Sequence, residues 1–432
     1  MQKLLKLPYL LSIGLLIYMP FHIFLSQWLS TFTGGLDFWK VAKDMVLVGA
    51  ILLALGLVYI QRGFKDKPFW VFTALSTLYF VLHLVVWQLN PDIGDKPALL
   101  ATAYNCRLLG FAILGWAAGM LGRKYINLKR VFQIVIAVST IVCIFGIIQY
   151  NLPKDVMEHF GYSLERGVKP NFFIDDKPDL PRIMSTLRDP NSLGAYLILP
   201  IAILVGAWLK RPKLRMLLSG LLLLHGLALF LTFGRSAWVG AFLAAALITF
   251  WHFKDKTKGF IRRYWPIIIV GISAIALGVF LLRDQYIVQN IVFHSDENTQ
   301  LTDSNNLHLD FAQQGVEGIA DHPFGYGPGT AGLVSIQTDK VVLTENYFLQ
   351  IGYEVGLIGL ILLLYIMYIV LRALYWRGGF YSQALIASFI GITFCNFLLH
   401  TWSNEAVAAQ WWVLAGLVIG LDGRNTSRPR VR

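Results

Sequence analysis

Charge is what this chain has least of. Asp, Glu, Lys and Arg together make up 14% of its 432 residues, against 56% hydrophobic residues. A soluble domain ordinarily carries about 25% charged residues, so a water-facing globule is excluded. Cysteine is nearly missing as well. Cys106, Cys143 and Cys395 are the three present, and all fall within apolar runs, which excludes a disulfide framework and offers no metal spacing. A small-residue cleavage site is also lacking after the first apolar run. That run starts behind Lys3 and Lys6 and continues to about Leu29, so it reads as a retained first span and not as a removable signal.

What is present are apolar runs of the length that crosses a ~30 Å hydrocarbon core. Their pattern predicts an all-α polytopic membrane protein of about twelve transmembrane helices, near 7–29, 38–60, 69–89, 98–121, 131–150, 190–209, 214–232, 235–251, 265–282, 346–371, 380–399 and 406–421. One membrane domain accommodates all 432 residues. Residues 1–150 supply N-terminal scaffold spans, 190–282 spans 6 to 9, and 346–421 spans 10 to 12. Long loops at 151–189 and 283–345 separate these groups, and 422–432 form a tail. With the N-terminus inside, 24 of the 37 Lys and Arg fall on inner segments. The positive-inside rule then sets both termini in the cytoplasm and both long loops on the outer face of the cytoplasmic membrane. The net charge of +12 is accordingly a topology signal and an attraction to the lipid bilayer, with no nucleic acid implied.

The unusual chemistry gathers on the predicted outer side. Arg235 sits in LTFGRSAW, between two apolar runs and at the start of a descending helix, where the helix dipole favours an anion. Arg182 and Arg188 precede a second outward helix start in LPRIMSTLRDPNSLGAYL, with Asp189 as N-cap and Pro190 at the first helical position. Taken singly, each arginine reads equally well as an interfacial residue touching headgroups. Together they suggest a phosphate site. In LTENYFLQIGYEVGLIGL, Thr344 can cap the tenth span, with Glu345 in its first turn. Glu345 either complements the dipole or accepts a proton from a sugar hydroxyl. His400, between spans 11 and 12, is an alternative base or an interfacial side chain.

Between Ser304 and His322 the spacing predicts an amphipathic helix with Leu307, Phe311, Val316 and Ile319 on one face, followed by HPFGYGPGTAG, which excludes regular structure. GYGPG lacks the Lys-Ser/Thr of a nucleotide-binding loop. His294, His308 and His322 share the loop with Asp296, Asp303, Asp310 and Asp321 but lack metal-ligand spacing, so neither metal nor cofactor is expected. Arg107 lies within the fourth span, and the expectation is a structural ion pair with Asp44 or Glu354.

STLRDPNSLGAYL, LTFGRSAWVGAFLAAAL, DHPFGYGPGT and TENYFLQIGYEVGLIGL occur in an order and spacing that resemble the O-antigen ligase and polymerase superfamily, over about residues 180–370. The resemblance implies a GT-C-like fold and a metal-independent, inverting glycosyltransferase. Its donor would be a glycan linked through diphosphate to a polyprenol, and its acceptor a glycan or lipid. Arginines at the positions of Arg182 or Arg188 and of Arg235 would bind the diphosphate, with Arg235 and Glu345 in the catalytic roles. Asn191, Asn346 and His322, within the same motifs, are further substrate-binding candidates. Ligases of this superfamily carry a histidine just before the asparagine of the tenth-span motif, where this chain has Glu345. That departure favours a polymerase of lipid-linked repeat units, with a ligase as the alternative. A transporter of lipid-linked glycans is the rival class.

Overall fold

The structure, a computed structural model, describes residues 2–174, 177–253, 304–336, 338 and 341–421. In chain order the helices are α1 (Gln2–Tyr18), α2 (His22–Thr33), α3 (Leu36–Arg62), α4 (Lys67–Leu89), α5 (Asp95–Leu121), α6 (Leu128–Asn151), the short α7 (Val156–His159), α8 (Pro190–Lys210), α9 (Arg215–Leu231), α10 (Arg235–Phe253), α11 (Ser304–Asp321), the short α12 (Gly332–Ser335), α13 (Tyr347–Arg377), α14 (Gly379–Asn396) and α15 (Glu405–Gly420). A two-stranded antiparallel ribbon, β1 (Phe172–Ile174) with β2 (Lys177–Arg182), precedes α8.

Among the described residues, nine helical segments are long and apolar enough to cross a membrane. They correspond to the first eight expected spans and the tenth. The first is interrupted by a 3-10 turn at Met19–Phe21, where Pro20 removes a backbone donor. Helices α14 and α15 cover the expected eleventh and twelfth spans but are not among those nine, α15 being only 16 residues long. The expected ninth span, 265–282, lies outside the described residues.

Small residues decide how the helices meet. In lipid no hydrophobic force pulls helices together, so close backbone approach through small side chains does the work. Gly115 and Gly119 on α5 face Gly416 and Gly420 on α15, and a Cβ at Gly119 would stand 2.6 Å from the Leu417 carbonyl oxygen. The matching residue numbers rise together, so these two helices run parallel. Gly194 of α8 meets Ala237 of α10, while Gly240 of α10 meets Gly391 of the antiparallel α14. With the bonds of Arg62 to Met120, Asn346 to Phe397 and Trp411 to Leu385 added, α3, α5, α8, α10, α13 and α15 all begin at one end of the bundle, as alternation of the expected spans requires.

The interior of α13 is broken. Gly356 has φ 73° and ψ 180°, a conformation that interrupts the helical ladder. The backbone groups this frees are taken by the 322–331 loop. Tyr326 N–H donates to the Tyr353 carbonyl at 2.9 Å, Gly327 N–H to the Glu354 carbonyl at 2.9 Å, and Leu357 N–H to the Pro323 carbonyl at 2.9 Å. Such satisfaction is obligatory where water is absent. A side chain at Gly325 or Gly356 would collide with the opposite backbone, which is why glycines occupy both places.

Two expectations about this region need correcting. The α11 face that packs on α13 is Gly315, Gly318 and Ile319, against Leu349 and Tyr353, whereas Val316 is 55% exposed. The α13 N-cap is Asn346, whose Oδ1 accepts from Phe348 N–H at 2.9 Å and Leu349 N–H at 3.1 Å. Thr344 is therefore not the cap. Glu345 precedes the helix instead of sitting in its first turn.

Candidate active site

Arg182 ends β2 and leans onto the start of α8 and the turn between α9 and α10. Its Nε donates to the Thr232 carbonyl and one terminal nitrogen donates to Asn191 Oδ1, both at 2.9 Å. Arg235 opens α10 and acts electrostatically on Arg182. Burial pushes the Arg182 guanidinium down, the Asp189 carboxylate pulls it up, and Arg235 pushes it down again. Two like charges are thus held together at two helix N-termini, an arrangement whose field favours an anion. Asp189 caps α8 as expected, its Oδ1 accepting from Ser192 N–H at 2.8 Å and Pro190 taking the first helical position.

Arg188 goes elsewhere. It acts on Lys40 of α3, Tyr104 of α5 and Glu405 at the start of α15. The segment between the two arginines is firmly tied. Met184 and Ser185 N–H groups donate to Gln149 Oε1 at 3.2 and 2.8 Å, Ser185 Oγ to the Val142 carbonyl at 2.7 Å, and Thr186 Oγ1 to the Pro20 carbonyl at 2.7 Å.

Glu345 stands beside His400, which the turn between α14 and α15 carries in. Thr344 Oγ1 lies 3.2 Å from His400 Nε2, and Asn346 Nδ2 donates to the Phe397 carbonyl at 3.2 Å, which fastens this turn to the start of α13. Burial pushes the His400 imidazole down to about 4, against a smaller upward pull from Glu345, so the ring is neutral near pH 7. A side-chain hydrogen bond between Ser236 of α10 and Cys395 at the end of α14 ties the helix that follows Arg235 to the helix that precedes His400. His322 is exposed, its ring 4.1 Å from Tyr326, which in turn stacks on Tyr353 at 4.4 Å.

Backbone strain marks the same motifs. Among the described residues, three that are not glycine have positive φ: Ser185 at 55°, Phe233 at 49° and Glu345 at 42°. They lie between Arg182 and Arg188, two residues before Arg235, and at the candidate base. Each such conformation costs on the order of 1–3 kcal/mol and persists where the surroundings impose it, most often at functional sites. Sequence alone gives no signal for this strain.

The expected partners of Arg107 are corrected. Its guanidinium pairs with Glu405 at 2.9 Å, and it also donates to the Ser403 carbonyl. Asp44 pairs instead with Lys43 at 3.1 Å. Glu354 is fully buried, accepting from Asn105 Nδ2 at 2.7 Å and from Gly329 N–H at 2.9 Å. Glu405, with Lys43, His22, Arg107 and Arg188 around it, is the central acidic residue that the sequence reading missed. Its position opening the last apolar run was the available signal.

Among the described residues no group of three His, Cys, Asp or Glu side chains could hold a metal ion. His294, Asp296 and Asp303 lie outside those residues.

With this geometry in hand, comparison with known proteins is informative. A family model described as O-antigen ligase matches residues 220–364, which include Arg235, Glu345 and Asn346. An O-antigen polymerase of Salmonella muenchen is 24% identical over 358 residues, covering 81% of this chain and 84% of that protein.

Proposed function

We propose, from the similarity to O-antigen ligase and to an O-antigen polymerase, that the chain is a glycosyltransferase of the O-antigen ligase and polymerase superfamily that polymerises polyprenyl-diphosphate-linked oligosaccharide repeat units on the outer face of the cytoplasmic membrane. Both termini are then cytoplasmic. The observation that carries the reading is the convergence of Arg182 and Arg235 on two helix starts, held by Asn191 and the Thr232 carbonyl.

In this reading Arg182 and Arg235 bind the donor's diphosphate, while Arg188 is turned toward Lys40, Tyr104 and Glu405. The acceptor hydroxyl oxygen attacks the anomeric carbon of the donor from the face opposite the leaving group. The bond from that carbon to the diphosphate oxygen breaks, its electron pair departs with the polyprenyl diphosphate, and the anomeric configuration inverts. Guanidinium groups stabilise charge as it develops on the departing oxygens, the role of a preorganised electrostatic site. The hydroxyl proton passes to a base. Glu345 takes that role, with neutral His400 beside it as the second acceptor along the same path. Ligases carry a histidine in sequence at the Glu345 position. Here an imidazole reaches the same neighbourhood from the turn after α14, which keeps transfer to a separate lipid or protein acceptor as the second reading.

A broken helix beside a buried carboxylate is also how transporters build substrate sites. In this chain residues 323–329 already occupy the groups freed around Gly356, which leaves that break without a place for cargo.

The test is reconstitution in lipid with a polyprenyl-diphosphate oligosaccharide as sole substrate. A glycan ladder is expected, abolished in Arg235→Ala. Arg182→Lys should lower turnover roughly 10- to 100-fold, because lysine cannot reproduce a forked pair of bonds. Transfer that appears only with a separate acceptor supports the ligase. A lipid-linked glycan moved across the bilayer with no new linkage would overturn the enzyme reading.

A further inference from the structure

The cations at this end of the bundle form two groups. Arg235 acts on Arg182, which is held by Asn191 and the Thr232 carbonyl. The second group is built on different elements. Lys40, in the second turn of α3, faces Arg188, Arg166 and Lys96, with Asp37 as its nearby carboxylate. Lys40 Nζ donates to the Arg166 carbonyl at 3.0 Å. The Arg166 guanidinium is itself anchored, donating through Nε to Gln27 Oε1 at 3.0 Å and through a terminal nitrogen to the Gln27 carbonyl at 2.9 Å. Arg188 joins this rim to a buried floor, because it also acts on Glu405 and Tyr104. In that floor Arg107 pairs with Glu405 at 2.9 Å and its guanidinium carbon lies 4.5 Å from the centre of the Tyr104 ring.

Among the groups that act on Lys40 and Glu405, cations outnumber carboxylates. Lys40, Lys43, Lys96, Arg107, Arg166 and Arg188 are set against Asp37, Asp44 and Glu405. Two donors in the floor, Arg107 Nε and Ser403 Oγ, are buried with no hydrogen-bond partner among the described residues. Both residues are 6% exposed. A surplus of clustered cations with unsatisfied buried donors is what an anion of high charge density offsets. Lys40 and Lys96 stand near the outer ends of α3 and α5, the level at which the headgroup of a lipid diphosphate rests, and Phe38 and Val41 beside Lys40 are exposed apolar residues suited to its polyprenyl chain.

We infer that Lys40, Lys96, Arg166 and Arg188 seat a second diphosphate, that of the lipid-linked glycan serving as acceptor, while Arg182 and Arg235 hold that of the donor. The inference rests on the polymerase reading. A polymerase joining two lipid-linked chains breaks the carbon–oxygen bond of one diphosphate ester and leaves the other intact. Two seats on separate elements meet that need, because only the one beside Arg235 has to stabilise a leaving group.

Binding stoichiometry tests it. Purified chain in detergent is titrated with a polyprenyl-diphosphate oligosaccharide, and bound equivalents are counted by native mass spectrometry. Wild type should hold two equivalents, Lys40→Gln/Lys96→Gln one, and Arg235→Gln one. The equivalent retained by the lysine double variant shows that it is folded. Lys96→Gln alone, at an exposed side chain, should weaken the second equivalent roughly fivefold, the effect of about one interfacial cation. Two equivalents of unchanged affinity in both lysine variants would overturn the second seat. So would a single wild-type equivalent that only Arg235→Gln removes. Absence of binding by wild type would defeat the polymerase reading itself.

Discussion

Removing Glu405 should destabilise the protein more than removing Arg107, and removing both should cost less than the two single losses added together. The pair is 2.9 Å apart, with side chains 4% and 12% exposed. Breaking one side of a buried pair costs about 3–5 kcal/mol, chiefly because the surviving charge is left uncompensated. The two sides are unequal here. After Arg107→Leu, Glu405 keeps Lys43 and Arg188 nearby and His22 Nε2 at 3.7 Å, so the cost should fall near the lower limit, about 3 kcal/mol. After Glu405→Gln, Arg107 has no carboxylate in contact, and Lys43 keeps only Asp44, so the cost should approach about 5 kcal/mol. In the double variant Lys43 and Asp44 still pair, and the coupling energy should be roughly 1–3 kcal/mol in the restoring direction. Chemical unfolding in mixed micelles, followed by tryptophan fluorescence, supplies the four free energies of the cycle. Additive losses, or an Arg107→Leu variant weaker than Glu405→Gln, would refute the asymmetry. Loss of all transfer activity in a double variant that folds would show that the pair does more than hold the helices.

Other outcomes follow from geometry already given. Gly119→Leu should prevent α5 and α15 from meeting, because its Cβ alone would stand 2.6 Å from the Leu417 carbonyl oxygen; the check is recovery of monodisperse protein by gel filtration, and near-normal recovery would contradict the close seam. Gly356→Ala should cost at least roughly 1–3 kcal/mol, from φ 73° together with a Cβ 2.5 Å from the Phe324 carbonyl carbon, and thermal unfolding should show it. His400 gives a pH signature. Its folded pKa of about 4 lies below the ordinary 6.5, so the unfolded chain binds the proton more tightly, and the associated stability is complete above about pH 6.5 and is lost as pH falls toward 4. His400→Gln should flatten the dependence of the unfolding midpoint on pH between those values; an unchanged slope would contradict the burial assigned to the ring.

Spans and helix starts were legible because they rest on local chemistry. Apolar runs announced nine of the crossing segments, and Asp189 followed by Pro190 announced the start of α8. Motifs likewise located the arginines and Glu345. What escaped were pairings set by distant parts of the chain. Arg107 and Glu405 are nearly 300 residues apart, and their meeting depends on the parallel course of α5 and α15, whose glycines at 115, 119, 416 and 420 were visible in sequence but unread as a seam. The cap of α13 was misplaced by two residues, because Thr344, Glu345 and Asn346 all suit a helix start and only geometry selects Asn346. The loop after α11 was foreseen as irregular, yet its glycines permit close docking on α13, a fixed and not a loose arrangement.

The glycine seam also limits what can move. Helices that meet through backbone cannot slide, since any axial shift drives a neighbouring side chain into the space a missing Cβ left open. α5 and α15 therefore travel as one rod, carrying Arg107 and Glu405 at the same level. Any opening needed to admit or release a bulky lipid must be taken up by elements that touch this rod through longer side chains. Arg107 also holds the Ser403 carbonyl in the turn that carries His400, so this turn keeps its place against the rod while other elements adjust around it.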